Sequence, residues 1–281
     1  MMLFYTNSVA HFAKKINIKK GKFVIKRFSD GEVYVKINEN VDNKTVWVMG
    51  NTNPPSENIL ELVFLLDALK RNGAKIKLFI PYFGYARQDR VVEQGECLSA
   101  EVICNMLKHY DLEDVFVIHM HSSRIKSFLK YKNVVPYTLL HPVMKNIDLI
   151  VAPDKGAEPE AQHLGSIFNI PVVIMEKKRP SHEKVFIKKS YNNVRGRVLL
   201  IDDIIASGKT LAVAAQKLRN AKEIIAIATH GIFSGNANQN LRNKKIKMIY
   251  VTNTLPQKPR TKVKLLDISK LIEKIIKRGS I

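Results

Sequence analysis

The chain has few of the features that would place it outside the cell or in a membrane. Its two cysteines, Cys97 and Cys104, lie seven positions apart with no flanking cysteine or paired histidine. That spacing makes neither a disulfide framework nor a zinc site, and a reducing, cytoplasmic location is expected. No apolar run approaches the roughly 20 residues needed to span a bilayer. The opening MMLFYTNSVAHFAKK lacks a long apolar segment and a small-residue cleavage site, so no signal peptide is expected. Acids are scarce beside bases, 25 against 46, and the net charge is +21. Such a balance admits nucleic-acid binding. The cations are nevertheless spread along the chain among acids and Asn, and are densest late, at 242–247 and 258–264. No homeodomain, zinc-finger or RNA-recognition pattern accompanies them, so nucleic acid is not an expected partner. A phosphate-handling enzyme with a Lys-rich surface accounts for the charge equally well. No Ser-His-Asp or Cys-His arrangement suggests a covalent nucleophile.

What is present suits two domains of ordinary size: 281 residues, 46% of them apolar. Short apolar strands alternate with amphipathic helices, the mark of an α/β fold. Strands are predicted at 45–49, 76–80, 115–118, 149–152, 172–175, 198–201 and 224–228. Ile59, Leu60, Val63, Leu66 and Leu69 recur at helical spacing, with Ser56 as cap and Gly73 as stop. Further helices are predicted from Ser99 to about Lys108, at 156–168, at 211–218 and at 265–277. A boundary near 143–148 divides the chain into domains 1–145 and 146–281, with similar α/β content in each.

The most informative stretch is VLLIDDIIASGKTL, 198–211. An apolar strand ends in Asp202 and Asp203, and a small-residue loop then opens a helix. Ala206, Ser207, Gly208, Lys209 and Thr210 can turn backbone N–H groups, two hydroxyls and an ammonium toward one anion. The acid pair can accept from sugar hydroxyls, so a sugar phosphate fits. Buried strands also end in Asp without any ligand, and the loop is what favours function. A Walker A loop is excluded, because Ile204 stands where its first Gly is required and two acids precede it.

Other segments carry weaker signals. In Phe28-Ser29-Asp30-Gly31-Glu32 the acids can accept from a base or ribose, though Asp-Gly is also a common turn. The segment PYFGYARQDR, 81–90, follows a buried strand, where α/β proteins place ligand loops. Its aromatic rings can stack on a base and Arg87 can fork onto phosphate; a plain loop with buried aromatics is the alternative. His119 and His121, two apart at a strand end, point the same way if the strand continues, as ligands or as structure. Asp154 is placed for Mg²⁺, or else caps the following helix. Lys177 and Arg179, in a charge run, can meet charge on phosphate oxygens.

In order, FSDGE, NTNPPSENILEL, PYFGYARQDR, APDKGAE, KKRP, DDIIASGKT, ATHGIFS, TNTLP and LDISKLI resemble the ribose-phosphate pyrophosphokinases over nearly the whole chain. The short length and the ending are more like the archaeal-type members. The resemblance implies two type I phosphoribosyltransferase-like domains, each a mostly parallel sheet flanked by helices. It implies transfer of the β,γ-diphosphoryl group of ATP to the 1-hydroxyl of ribose 5-phosphate, with Mg²⁺ as cofactor. It further implies a homo-oligomer, with ATP bound near a subunit interface. By position, Phe28, Asp30, Gly31, Glu32, Arg87, Gln88 and Asp89 would hold ATP, and His121 and Asp154 would bind Mg²⁺. Lys177 and Arg179 would stabilise the transferring group. Arg179, Asp202, Asp203 and 206–210 would hold ribose 5-phosphate. Three positions depart from the family pattern: His119 where Asp is usual, Lys209 where a small residue is usual, and Cys97 where Pro is usual. A phosphoribosyltransferase consuming the activated sugar would need neither FGYARQDR nor the Lys-Lys-Arg segment. A non-catalytic, regulatory relative would not need to keep Lys177, Arg179, His121 and Asp154.

Overall fold

The structure, a computed structural model, describes residues 1–181, 184–187, 191 and 193–280, and of 177–181 and 184–187 the backbone only. The strands are β1 (Leu3–Tyr5), β2 (Phe23–Arg27), β3 (Val33–Ile37), β4 (Thr45–Met49), β5 (Lys75–Ile80), β6 (Asp114–Ile118), β7 (Lys132–Val134) and β8 (Leu149–Ala152). They continue with β9 (Val172–Ile174), β10 (Lys177–Ser181), β11 (Lys184–Ile187), β12 (Arg197–Ile205), β13 (Glu223–Gly231), β14 (Ile246–Thr252) and β15 (Val263–Leu266). The helices are α1 (Ala10–Ala13), α2 (Glu57–Arg71), α3 (Ser99–Lys108), α4 (His141–Met144), α5 (Glu158–Phe168), α6 (Lys209–Lys217), α7 (Ala237–Asn240) and α8 (Ser269–Arg278). None of the described helices is long and apolar enough to cross a membrane.

The chain forms two compact units: 1–135 with 254–256 and 268–281, and 136–253 with 257–267. The first unit therefore ends ahead of the 145/146 boundary read from sequence, and the terminal helix returns to it. Glu273 on α8 accepts from the Asn17 backbone N–H at 3.0 Å, a tie between residues remote in sequence.

In the first unit a parallel sheet runs β1-β4-β5-β6-β7. Its strands are nearly continuous apolar runs because both faces are covered. Val46, Val48, Leu78, Ile80, Val115 and Val117 pack with Leu62, Leu66 and Leu69 of α2 and Ile103 and Leu107 of α3. On the other side Trp47, Phe79 and Phe116 are fully buried and form one aromatic layer, with Trp47 and Phe116 5.1 Å apart. Gly73, at φ 77°, stops α2 by donating to Lys70 O. Ser56 makes no side-chain cap, and Ser99 lies inside α3 rather than ahead of it.

In the second unit the sheet is also parallel, in the order β15-β14-β13-β12-β8-β9. Strand β12 sits near its centre and alternates between two cores. Val198 and Leu200 face Leu211, Ala214 and Leu218 around α6, while Leu199 and Ile201 face Ala161 and Leu164 of α5. The sequence reading ended this strand at Ile201. It runs on to Ile205 because β13 pairs with it as far as Gly231, so Asp202 and Asp203 lie within the strand. The predicted helix 265–277 likewise begins later: Leu265 and Leu266 pair with Val251 and Thr252 in β15, and α8 starts at Ser269. The helix predicted at 156–168 opens as a 3₁₀ turn, Lys155–Ala157, before α5.

Candidate active site

Open parallel sheets bind ligands beyond the carboxyl ends of their strands, at the place where the strand order reverses. In the second unit the chain leaves β8 through α5 to β9 on one side, and leaves β12 through α6 to β13 on the other. The reversal falls between β8 and β12, which are direct neighbours with Val151 opposite Leu200. The loops leaving those two strands carry Asp154 and 206–210. Topology therefore gathers Asp154, Asp202, Asp203 and the small-residue loop into one region of this unit.

That loop turns at Gly208 into the N-terminus of α6. Gly208, at φ 70°, is the N-cap of α6, and Lys209 and Thr210 form its first turn. The backbone can take this left-handed turn because Gly208 has no Cβ; an L side chain there would be strained. A Cβ would also stand 2.8 Å from Leu241 Cγ. Asp202 Oδ1 accepts from the Asp203 N–H at 3.0 Å, and both acids are half-buried. Asp154 is half-buried, and its Oδ1 accepts from Gly156 N–H at 2.9 Å, so it does cap the turn that follows. One carboxylate with substrate phosphates and water is the donor set Mg²⁺ usually takes, so Asp154 suits that ion. Among the described residues no group of three or more His, Cys, Asp or Glu side chains gathers as a metal centre.

In the first unit the loop 81–90 is held by the end of β4. Buried Asn51 accepts from Tyr82 N–H at 2.8 Å and donates to Thr254 O, and Thr52 Oγ1 accepts from Gly84 N–H at 2.8 Å. Gly84 is required by close approach, since a Cβ there would come within 2.5 Å of Thr52 O. Tyr82 and Phe83 are buried in the core, which corrects the expectation that these rings stack on a base; Tyr85 is the exposed ring of the three. Arg87 is exposed, and Gln88 Oε1 accepts from the Ser99 hydroxyl. Asp89 is 8% exposed: Oδ2 accepts from Ser122 Oγ at 2.5 Å and faces Arg124 Nε at 3.9 Å, while Oδ1 faces Arg90 Nε at 3.4 Å. Asp89 thus ties the loop 81–90 to the residue after His121.

The two histidines do not share a strand face. Strand β6 ends at Ile118, and His119 takes φ 42° as its N–H donates to Val134 O. The turn leaves His119 buried and His121 exposed. His121 belongs to the first unit and Asp154 to the second. At the hairpin between β2 and β3, Gly31 N–H donates to Phe28 O and Phe28 N–H to Glu32 O, while Asp30 Oδ1 accepts from Glu32 N–H. Phe28 is half-exposed and meets Tyr34 edge-on at 5.4 Å; Asp30 and Glu32 are exposed. Arg27 holds the hairpin by donating to Gly31 O at 3.2 Å and facing Glu61 of α2 at 3.9 Å. Lys177 and Arg179 lie on β10, which pairs antiparallel with β11; their side chains lie outside the described residues. The supporting roles of Asn51, Thr52, Ser122 and Arg27 escaped the sequence reading, since only tertiary contact gives these polar residues their partners.

Two all-parallel sheets flanked by helices, one of them with an acid pair and a small-residue loop at its switch point, define a type I phosphoribosyltransferase fold. The structure is similar to that of the phosphoribosylpyrophosphate synthetase from Mycobacterium smegmatis, with TM-score 0.87 and 26% identity over 99% of this chain and 98% of that one. Residues 1–110 match the family described as the N-terminal domain of ribose phosphate pyrophosphokinase, and 144–280 match the phosphoribosyl synthetase-associated domain. The ribose-phosphate pyrophosphokinases of Pasteurella multocida (strain Pm70) and Haemophilus influenzae are 35% and 36% identical, each over 99% of this chain and 95% of its own length. The chain belongs to the ribose-phosphate pyrophosphokinase family.

Proposed function

We propose that this chain transfers the β,γ-diphosphoryl group of ATP to the 1-hydroxyl of ribose 5-phosphate, giving 5-phosphoribosyl 1-diphosphate and AMP. The observation that carries the reading is the acid pair running into the cradle 206–210 at the switch point of the second sheet. Asp202 and Asp203 accept from the ribose hydroxyls, and Ala206, Ser207, Gly208, Lys209 and Thr210 hold the 5-phosphate. The 1-hydroxyl oxygen attacks the β-phosphorus, the bond from that phosphorus to the α,β-bridging oxygen breaks, AMP leaves, and the hydroxyl proton passes to solvent. Such a reaction needs alignment and charge neutralisation more than a covalent nucleophile. Lys177 and Arg179 neutralise charge on the transferring group, and Arg179 also holds the sugar phosphate. Phe28, Asp30, Gly31 and Glu32 receive adenine, and Arg87 and Gln88 hold the ATP phosphates and ribose. Asp89, buried and paired with Ser122, Arg90 and Arg124, serves ATP by holding the loop 81–90 in place.

Asp154 and His121 would hold Mg²⁺, which when bound neutralises phosphate oxygens. Exposed Phe28, Asp30 and Glu32 support a homo-oligomer in which a second copy completes the ATP site. The domains 1–145 and 146–281 would divide ATP binding from ribose 5-phosphate binding, in a cytoplasmic enzyme.

The test is AMP formation from ATP and ribose 5-phosphate, with and without Mg²⁺, with the sugar product followed by phosphorus NMR. Stoichiometric AMP and a 1-diphosphoryl sugar, both dependent on the metal, are expected. Folded protein that binds ATP yet forms no AMP with any divalent metal would overturn the proposal.

A further inference from the structure

The loop 206–208 is held from behind by the segment after β13. Ile205 O accepts from the N–H groups of Ile232 and Phe233, at 2.9 and 3.1 Å. Ala206 O accepts from Ser234 N–H at 3.1 Å. Ser207 O accepts from the side-chain amide of Asn240, on α7, at 2.8 Å. Three successive carbonyls are therefore turned to one side and bonded there.

In a trans peptide the carbonyl of one residue and the N–H of the next point in opposite directions. Fixing the carbonyls of Ile205, Ala206 and Ser207 accordingly aims the N–H groups of Ala206, Ser207 and Gly208 to the other side. A run of N–H groups presented in this way at a helix N-terminus is what an anion needs. Two of the three carbonyls are held by backbone N–H groups, which most residue types would supply equally. The third is held by the side chain of Asn240. That side chain fixes the Ser207–Gly208 peptide, where the chain changes hand into Gly208 at φ 70°. That peptide has the most freedom to turn over, because Gly tolerates either hand.

We propose that Asn240 is a positioning residue for phosphate binding: by taking the Ser207 carbonyl, it aims the Gly208 N–H into the cradle. It touches no substrate and acts through the peptide it holds. The inference rests on the reading of 206–210 as the ribose 5-phosphate loop.

Calorimetry on the full chain tests it, with ribose 5-phosphate, inorganic phosphate and ATP as separate titrants. Asn240→Ala removes the donor and should weaken ribose 5-phosphate and inorganic phosphate about tenfold, as one unpaired carbonyl and a freed peptide imply. ATP affinity should stay within about twofold and the melting temperature within a few degrees. Asn240→Asp, which sets an acceptor against the carbonyl, should lose more than Asn240→Ala. Asn240→Gln, which keeps an amide donor, should recover most of the loss. Unchanged phosphate affinity in Asn240→Ala overturns the inference alone. Equal loss of ATP and phosphate binding also overturns it, because a general structural role would do that. A wild-type chain that binds neither ribose 5-phosphate nor inorganic phosphate overturns the loop reading and this inference together.

Discussion

Gly208→Ala is the sharpest perturbation of the cradle. Gly208 sits at φ 70°, and forcing an L side chain into that conformation costs about 1–2 kcal/mol. The new Cβ would also lie 2.8, 2.9 and 3.2 Å from Leu241 Cγ, Cδ2 and Cδ1. Carbon pairs are comfortable at about 3.5–4.0 Å, so Leu241 or the loop must move. Leu241 is buried among Ala237, Phe233 and Leu211, and overpacking of that kind costs about 1–3 kcal/mol. The two effects together come to roughly 2–5 kcal/mol. If the loop keeps its shape, the cost falls on stability, at about 2–4 °C of melting temperature per kcal/mol. If the Ser207–Gly208 peptide turns over instead, ribose 5-phosphate affinity falls, by about tenfold per 1.4 kcal/mol. Thermal unfolding and calorimetry with ribose 5-phosphate, run on the same preparation, capture both routes. Gly235→Ala is the control: its φ is 53°, but a Cβ there meets nothing within 4 Å, so only the conformational part remains. A Gly208→Ala chain with wild-type melting temperature and wild-type affinity would refute the reasoning.

Four further outcomes are expected. Lys177→Ala should cut turnover by about two orders of magnitude or more with modest loss of ATP binding, as for removal of a group that meets transition-state charge; near-normal single-turnover rates would contradict the role. Asp202→Asn should raise the ribose 5-phosphate requirement well above any change in ATP requirement, which steady-state kinetics in both substrates would show. Asp89→Asn should lower stability by about 1–3 kcal/mol, because Ser122 loses a charged acceptor and Arg90 and Arg124 lose their counter-charge; urea unfolding measures it. Stability should also fall as pH rises. Burial pushes Cys104, Tyr131 and Tyr137 each up to about 12 from ordinary values of 9.0 and 10.0. The folded chain then holds protons that the unfolded chain gives up, so the stability present below about pH 9 is lost progressively toward pH 12. A melting temperature flat across that window would count against it, as would equal thiol labelling of buried Cys104 and exposed Cys97 at pH 8.

Strands β4, β5, β6, β8, β9, β12 and β13 were legible because parallel strands covered on two faces need apolar residues with little interruption, whereas the parallel strands β1, β7, β14 and β15 escaped. The antiparallel pair β2 and β3 also escaped, and it lacks that signature. In β2 (FVIKR) and β3 (VYVKI) no residue is buried, and Lys26, Arg27 and Lys36 interrupt the apolar residues on a half-exposed hairpin. Strand β15 carries Leu265 and Leu266 directly ahead of the Ile pattern of α8, and only pairing with β14 separates strand from helix. The return of α8 to the first unit was invisible, since nothing in its sequence says which core it covers. At the site, residue type suggested the loop's chemistry, because carboxylates, glycine and hydroxyls are the groups that binding of phosphate and sugar would need. The direction of the two histidines was not, because a single residue at φ 42° breaks the strand alternation. Nor was the burial of Tyr82 and Phe83, which have the same sequence context as exposed Tyr85.

The departure at Lys209 takes on a definite meaning in this geometry. Lys209 is the first residue of α6, the position at which N–H groups converge and the helix dipole is positive, and the first turn of that helix carries no acid. A cation there opposes the dipole by about 0.3–1 kcal/mol at an exposed site. Lys209 is exposed, so it does not crowd the loop; the tight contact belongs to Gly208 and Leu241. An anion that met both the ammonium and the N–H groups would offset that cost. A phosphate carrying two charges in the cradle reverses the sign of the interaction. On the proposed reading of 206–210 as the phosphate loop, Lys209 makes the loop a poorer helix start and a stronger phosphate site at once. The same logic applies to Asn240, which stabilises the loop in the one arrangement that presents its N–H groups together.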